Sequence, residues 1–340
     1  MTPLFRNIDL RKRWFNILLI LLLALFVIFA NISAQIPKPT PSTLTLHATI
    51  YIPTATLQPI LQSHIDQERP SGLLGSLIHP SVTNLTPQSN GLAMTLSENL
   101  LPGGPPPLEA TALLTFSVLN SSTVQVSGQS MPGSLLSLSG PLTQIKIPQG
   151  QLNSIAPTPN CGDSALAVKM GIPTSTTDQG QKSSSLAIPR IPTQAANAYV
   201  EVTSSSLASL GKDLGSLSVS QLLTAQNFRI GIEHNEILVQ SDISLWQTGV
   251  VVGSSTTHIQ PLVENGNLVL HVKQNDFSTL FFAFPFDNYD QQIEHKLNNL
   301  LASSIAGLFT ITQAAIGTNT NIPCAASDSL ILTGTTDLLS

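Results

Sequence analysis

Past residue 44 the chain is dominated by alternation of apolar and polar positions. Leu92, Met94 and Leu96 are separated by small or polar residues, and Ala112, Leu114, Phe116 and Val118 follow the same rhythm. Phe228, Ile230 and Ile232 form a later series, and Leu268, Leu270 and Val272 another. A period of two turns one strand face to a core and the other to solvent, so these runs predict half-buried antiparallel strands. Asn90-Gly91 and Asn265-Gly266 sit between such runs, as the positive-φ pairs of tight hairpins do. One stretch, 287–308, has a different period. There Ile293, Leu297, Leu300, Leu301 and Ile305 fall on a single helical stripe. Asp287 and Asp290 read as its capped start, with carboxylates complementing the helix dipole. Shorter helices are expected around Leu57–Gln67 and Leu207–Leu223.

The pattern occurs twice. Ile50 and Ile52 precede a Thr cluster and Leu57; Val200 and Val202 precede a Ser cluster and Leu207. The strand from Gly91 has its counterpart from Glu236, and the turn at Asn120 has one at Asn265. Matches at a near-constant offset, in the same order, predict an internal repeat. The expected divisions are a leader or anchor at 1–34, a Pro-rich spacer at 35–43, a first β-rich module at 44–171, a linker at 172–197 and a second module at 198–340.

Composition changes the picture mainly at the N-terminus. Arg11, Lys12 and Arg13 precede an unbroken apolar run from Ile17 to Ala30. A cationic flank before such a run orients a segment for export. Its length lies between a signal-peptide core and a membrane span, and both readings stand. Export places the chain where disulfides persist. The two cysteines, Cys161 and Cys324, stand in look-alike settings near the ends of the two modules. They are expected to bond, with two unrelated buried cysteines as the alternative.

Charge excludes some partners. From residue 41 onward there are 9 basic and 18 acidic residues. Nucleic acid needs clustered cations, so a nucleic-acid partner is not expected. Polybasic attachment to anionic lipid is not expected either. The seven histidines form no H-x-x-x-H, and the cysteines lack metal spacing, so no metal and no cofactor is expected. No G-x-S-x-G elbow selects a serine, and no catalytic residue is assigned. The segment 279–286, TLFFAFPF, is the most apolar outside the N-terminus, which suits a buried strand or the wall of an apolar cavity.

The stretches NFRIGIEHNEILVQSDISL and NGNLVLHVKQNDF, the helix 287–308 and the closing CAASDSLILTG resemble the tubular lipid-binding superfamily. The second half resembles its bacterial LmeA-like phospholipid-binding domains. That resemblance implies an α+β, β-rich fold: two similar modules of long curved antiparallel strands packed on amphipathic helices, after an N-terminal hydrophobic helix. It also implies an apolar groove between sheet and helix, with Leu280, Phe282, Phe284, Ile293, Leu297, Leu301 and Ile305 as expected lining. The expected role is an exported, membrane-proximal protein that binds a lipid or other hydrophobic ligand without catalysis. It would lie outside the cell or at the outer face of its membrane, held through the N-terminal segment if that is not cleaved. A structural or adhesive surface protein of paired β-rich modules is the alternative, with a secreted hydrolase behind it.

Overall fold

The computed structural model describes residues 44–67, 80–98, 108–131, 139–146, 150–174, 197–246, 248–279, 288–306 and 309–335. The N-terminal apolar run, the spacer, Asp287, Leu280, Phe282 and Phe284 lie outside them, as does most of the expected linker. The first half begins with β1 (Leu44–Pro53) and helix α1 (Thr54–Gln67). Five strands follow: β2 (Ser81–Gln88), β3 (Gly91–Glu98), β4 (Leu108–Asn120), β5 (Thr123–Ser130) and β6 (Ser139–Lys146). Two more return, β7 (Gln151–Pro157) and β8 (Ser164–Thr174).

The second half opens in the same way, with β9 (Ala198–Thr203) and α2 (Ser204–Gly211). Its strands are β10 (Leu217–Ser218), β11 (Leu223–Glu233), β12 (Glu236–Leu245), β13 (Val251–Glu264) and β14 (Asn267–Thr279). A helical stretch comes next: α3 (Tyr289–Leu297), a π turn at Asn298–Ala302 and α4 (Ser303–Ala306). The returning strands are β15 (Thr310–Ile316) and β16 (Ser329–Thr335).

Strands β2 to β6 form one five-stranded antiparallel sheet and β10 to β14 another. The remaining strands make a six-stranded sheet in the order β15-β16-β9-β1-β8-β7, which both halves build together. At its centre Ile50 pairs with Val200, flanked by Thr49 with Glu201 and Tyr51 with Tyr199. Thr49 and Tyr199 are 150 residues apart, as are Ile50 and Val200, and Tyr51 and Glu201. An antiparallel pair in that register has an approximate two-fold axis through Ile50 and Val200. The pattern spreads outward: Ile50 also pairs with Val168, and Val200 with Leu332.

Alternation fills the core as the sequence predicts. Leu92, Met94 and Leu96 are buried, as are Phe228, Ile230, Leu268 and Leu270. These side chains join those on the inner face of the central sheet in one apolar cluster that runs through both halves. The Asn265-Gly266 turn has positive φ at both residues, 51° and 78°. The other expected pair works differently. The β2–β3 turn centres on Ser89 and Asn90, and Gly91 opens β3. Glycine is required there because a Cβ would collide with the carbonyl of Leu114 on β4.

The expected class needs correction. The fold is mainly β and not α+β: strands hold 62% of the described residues and helices 17%. Antiparallel sheets joined through a shared sheet replace strands laid on amphipathic helices. The helix expected over Leu207–Leu223 ends at Gly211, where a Cβ would crowd the backbone carbonyl of Phe228. Leu214, Leu217, Val219 and Leu223 beyond it are buried from non-helical chain. The expected helix 287–308 is present as a continuous helical stretch over 289–306, with a π turn at Asn298–Ala302 inside it. The hydrophobic N-terminal helix lies outside the described residues, and among those residues no helix is long and apolar enough to cross a membrane.

Candidate functional site

The helical stretch from Tyr289 carries four of the expected lining residues, and all four are buried: Ile293, Leu297, Leu301 and Ile305. Its start is not capped as expected. Asn288 occupies the cap position in a left-handed conformation without a side-chain cap bond. Asp290 instead accepts a hydrogen bond from Asn275 Nδ2 on β14 at 2.7 Å.

Polar residues of this stretch fasten it to both edges of the second five-stranded sheet. Asn298 Nδ2 donates to the Leu270 carbonyl at 2.9 Å, and the Leu270 N–H donates to Asn298 Oδ1 at 2.8 Å. One side-chain amide thereby imitates a neighbouring strand at the open edge of β14, meeting the need of edge groups for partners. Glu294 accepts from the Val272 N–H on the same edge. On the opposite side Gln292 donates to the Ser218 carbonyl and Lys296 to the Leu214 carbonyl. The sheet is thus a half-barrel whose seam is bridged by a helix.

Under that helix lies a group of hydroxyls that sequence reasoning passed over. Tyr289 is fully buried, and its Oη lies 2.9 Å from both Ser241 Oγ on β12 and Ser255 Oγ on β13. The two serines are also 2.9 Å apart. Burial pushes the Tyr289 phenol above its ordinary pKa, against the opposing pull of these hydroxyl bonds. Thr257 follows Ser255 on the same face and is fully buried beside the Tyr289 hydroxyl. The signal was present: Ser241 shares the inward parity of Ile237, Val239 and Ile243. A polar residue at an apolar position of an alternating strand marks a buried polar contact.

His258, His271 and His295 fall on other surfaces. His258 Nδ1 contacts Glu236 at 2.7 Å and its Nε2 contacts Asp276 at 3.4 Å, while Lys273 holds the other Glu236 oxygen at 2.7 Å. Hydrogen bonds from Lys273 and His258 hold Glu236 below the ordinary carboxylate range. His271 meets Glu294, and His295 meets Asn299. Among the described residues no three His, Cys, Asp or Glu side chains gather so as to hold a metal ion.

A second buried polar group sits on the outer face of the central sheet, beside the two-fold axis. Tyr51 donates to Glu201 Oε2 at 2.7 Å, and the Ala326 N–H donates to Glu201 Oε1 at 2.7 Å. Burial, with the adjoining Glu201 carboxyl, raises the Tyr51 pKa far above its usual value. Asn321 donates to the Tyr199 hydroxyl. Cys161 and Cys324 form the disulfide above this group, with Cα atoms 5.2 Å apart. Cys161 lies seven residues before Val168, and Cys324 eight before Leu332, the strand positions related by the axis. The bond therefore joins nearly equivalent points of the two halves, and it fits an oxidising, extracytoplasmic compartment.

Among the described residues the halves differ in what lies over their five-stranded sheets. In the second half, β14 is followed by the helical stretch. In the first, β5 is followed by β6, which extends the sheet edge, and only residues 147–150 separate β6 from β7. Four residues cannot form a helix long enough to cross a sheet. Among the described residues the first half holds one helix, α1, which touches β1, β2 and β8. Its sheet is lined by Leu92, Met94, Leu96, Ala112, Leu114, Val124 and Val126, all buried.

No family model matches this chain, and no curated protein matches it. Among solved structures, it is similar to the crystal structure of P47 of Clostridium botulinum E1. That similarity covers 87% of this chain and 100% of the other, at 8% identity and a TM-score of 0.36. A crystal structure of lipopolysaccharide binding protein is similar over 87% and 100% of the two chains, at 8% identity and a TM-score of 0.32.

Proposed function

We propose that this protein binds a lipid or another hydrophobic ligand, without catalysis, after export to the outer face of a membrane. The observation that carries the reading is the asymmetry between the sheets. The second has its apolar face occupied by Tyr289, Ile293, Leu297 and Leu301, whereas the first has the same strand plan and, among the described residues, no such helix over its apolar face. An acyl chain entering there would gain about 0.8 kcal/mol per buried CH₂. Ile305 belongs to α4, which touches β8 of the central sheet, and in this reading it borders the ligand. The disulfide and the cation-flanked N-terminal run support export, and that run would hold the chain at the membrane if retained.

Native mass spectrometry of the purified full chain, followed by organic extraction, tests the reading. Co-purifying lipid, or saturable uptake of a fluorescent fatty acid, is the expected result. An empty protein that takes up no lipid overturns it and favours the second reading, a structural surface protein. The closely packed interior beneath α3 is what supports that alternative.

A further inference from the structure

Seven large hydrophobic side chains are exposed among the described residues, and five of them lie together: Leu222, Leu245, Trp246, Val250 and Val251. Leu222 is in the β10–β11 connection, and the other four border or form the β12–β13 turn. A backbone bond from the Trp246 N–H to the Leu222 carbonyl, 2.9 Å, holds these two connections side by side. Trp246 is 67% exposed and Leu222 62%. The other end of the same sheet carries the polar turns His234-Asn235 and Asn265-Gly266, bounded by Glu233 and Glu264. That end lies toward the central sheet, since the Ile311 N–H of β15 donates to the Gly266 carbonyl. Apolar exposure in this half is thus concentrated at the end remote from the central sheet.

The two connections that carry these side chains are without charge. No Asp, Glu, Lys, Arg or His occurs from Leu214 to Phe228 or from Ile243 to Thr257. Ser218, Gln221 and Thr248 are exposed around the apolar group and offer neutral hydrogen-bonding groups. An indole at such a tip suits the boundary between acyl chains and headgroups, where an apolar ring with a polar N–H is favoured. Entry of these two connections would desolvate no charge of their own, and they carry no cation to draw them to anionic lipid. The cation-flanked apolar run at the N-terminus independently directs the chain to a membrane.

We propose that the end of the second half carrying Leu222, Leu245, Trp246, Val250 and Val251 docks into the interfacial layer of an uncharged lipid bilayer. Docking is separate from ligand carriage: either can fail while the other stands. The chain has two tryptophans, Trp14 and Trp246, so in the full-length Trp14→Phe protein the emission reports the tip alone. With phosphatidylcholine vesicles, Trp246 emission is expected to shift to shorter wavelength and to be quenched by lipid brominated on its acyl chains. This readout remains specific to the tip even if the N-terminal run also inserts. Adding Val250→Ser and Val251→Ser is expected to weaken the lipid titration about tenfold, since two partly buried apolar groups are lost. Both sites are exposed, and an unchanged thermal melt verifies the fold. Emission unaltered by phosphatidylcholine overturns the proposal, as does a shift that requires phosphatidylglycerol. A shift that grows with protein concentration in the absence of vesicles also overturns it, and assigns the patch to contact between two copies.

Discussion

Asp213, in the turn after α2, has its Oδ2 buried without a hydrogen-bond partner, and burial raises its pKa above the ordinary 3.8. A carboxyl with a raised folded pKa favours the protonated fold. Its contribution to stability is complete below the unfolded value and is lost as pH rises through the folded one. Asp213→Asn removes that loss. The variant is expected to melt at a higher temperature than the parent at pH 7, with the gain gone by pH 3, as thermal melts at the two pH values would reveal. Equal gains at both values would show that charge is not the cause. Residues of this kind are hard to read from sequence: nothing around Lys212-Asp213 distinguishes a buried carboxylate from a solvated one. The inward hydroxyls of Ser241, Ser255 and Thr257 were legible in principle, because they interrupt an apolar parity. Their partner Tyr289 was not, because its position over the sheet depends on the path of the intervening chain.

At the scale of elements, the edge of β14 shows how a helix substitutes for a strand. Asn298 supplies both the donor and the acceptor that a neighbouring strand would give Leu270. Asn298→Ala is expected to lower stability by about 1–3 kcal/mol, since two hydrogen bonds are lost and partly buried backbone groups are left open. Hydrogen exchange should show the Leu270 amide losing protection while amides of the central sheet keep theirs. Unchanged protection at Leu270 would mean that the clasp is incidental. The strands around it were legible from alternation alone, and so was the apolar stripe of Ile293, Leu297, Leu301 and Ile305. The π turn, the uncapped start at Asn288 and the early end of α2 were not. Each sits where the chain meets a distant segment: the π turn at the β14 edge, the helix start beside Asn275, and Gly211 against the Phe228 carbonyl.

For the whole molecule, the central sheet and the disulfide couple the halves. In addition α2 touches β1 of the first half, and α4 touches β8. Replacing both cysteines with serine is expected to cost about 2–5 kcal/mol. The melt should remain a single transition, because the shared sheet and continuous core still join the halves. Differential scanning calorimetry reads both quantities. Two separated transitions in the variant would show that the disulfide alone made the halves cooperate.

The sequence by itself determined which runs become strands, where the long apolar stripe lies, and that the plan occurs twice, with a cysteine near the end of each copy. All of these follow from periodicity and spacing, which are local or additive along the chain. Tertiary structure alone decided that the halves share one sheet through Ile50 and Val200, because strand pairing depends on contacts between residues far apart in sequence. It also decided that β6 occupies a sheet edge where the second half places a helix, since that choice depends on the space left between β5 and β7. The mainly β class has the same origin: the two halves meet by strand pairing in one six-stranded sheet, and that pairing is set by contacts between residues far apart in sequence.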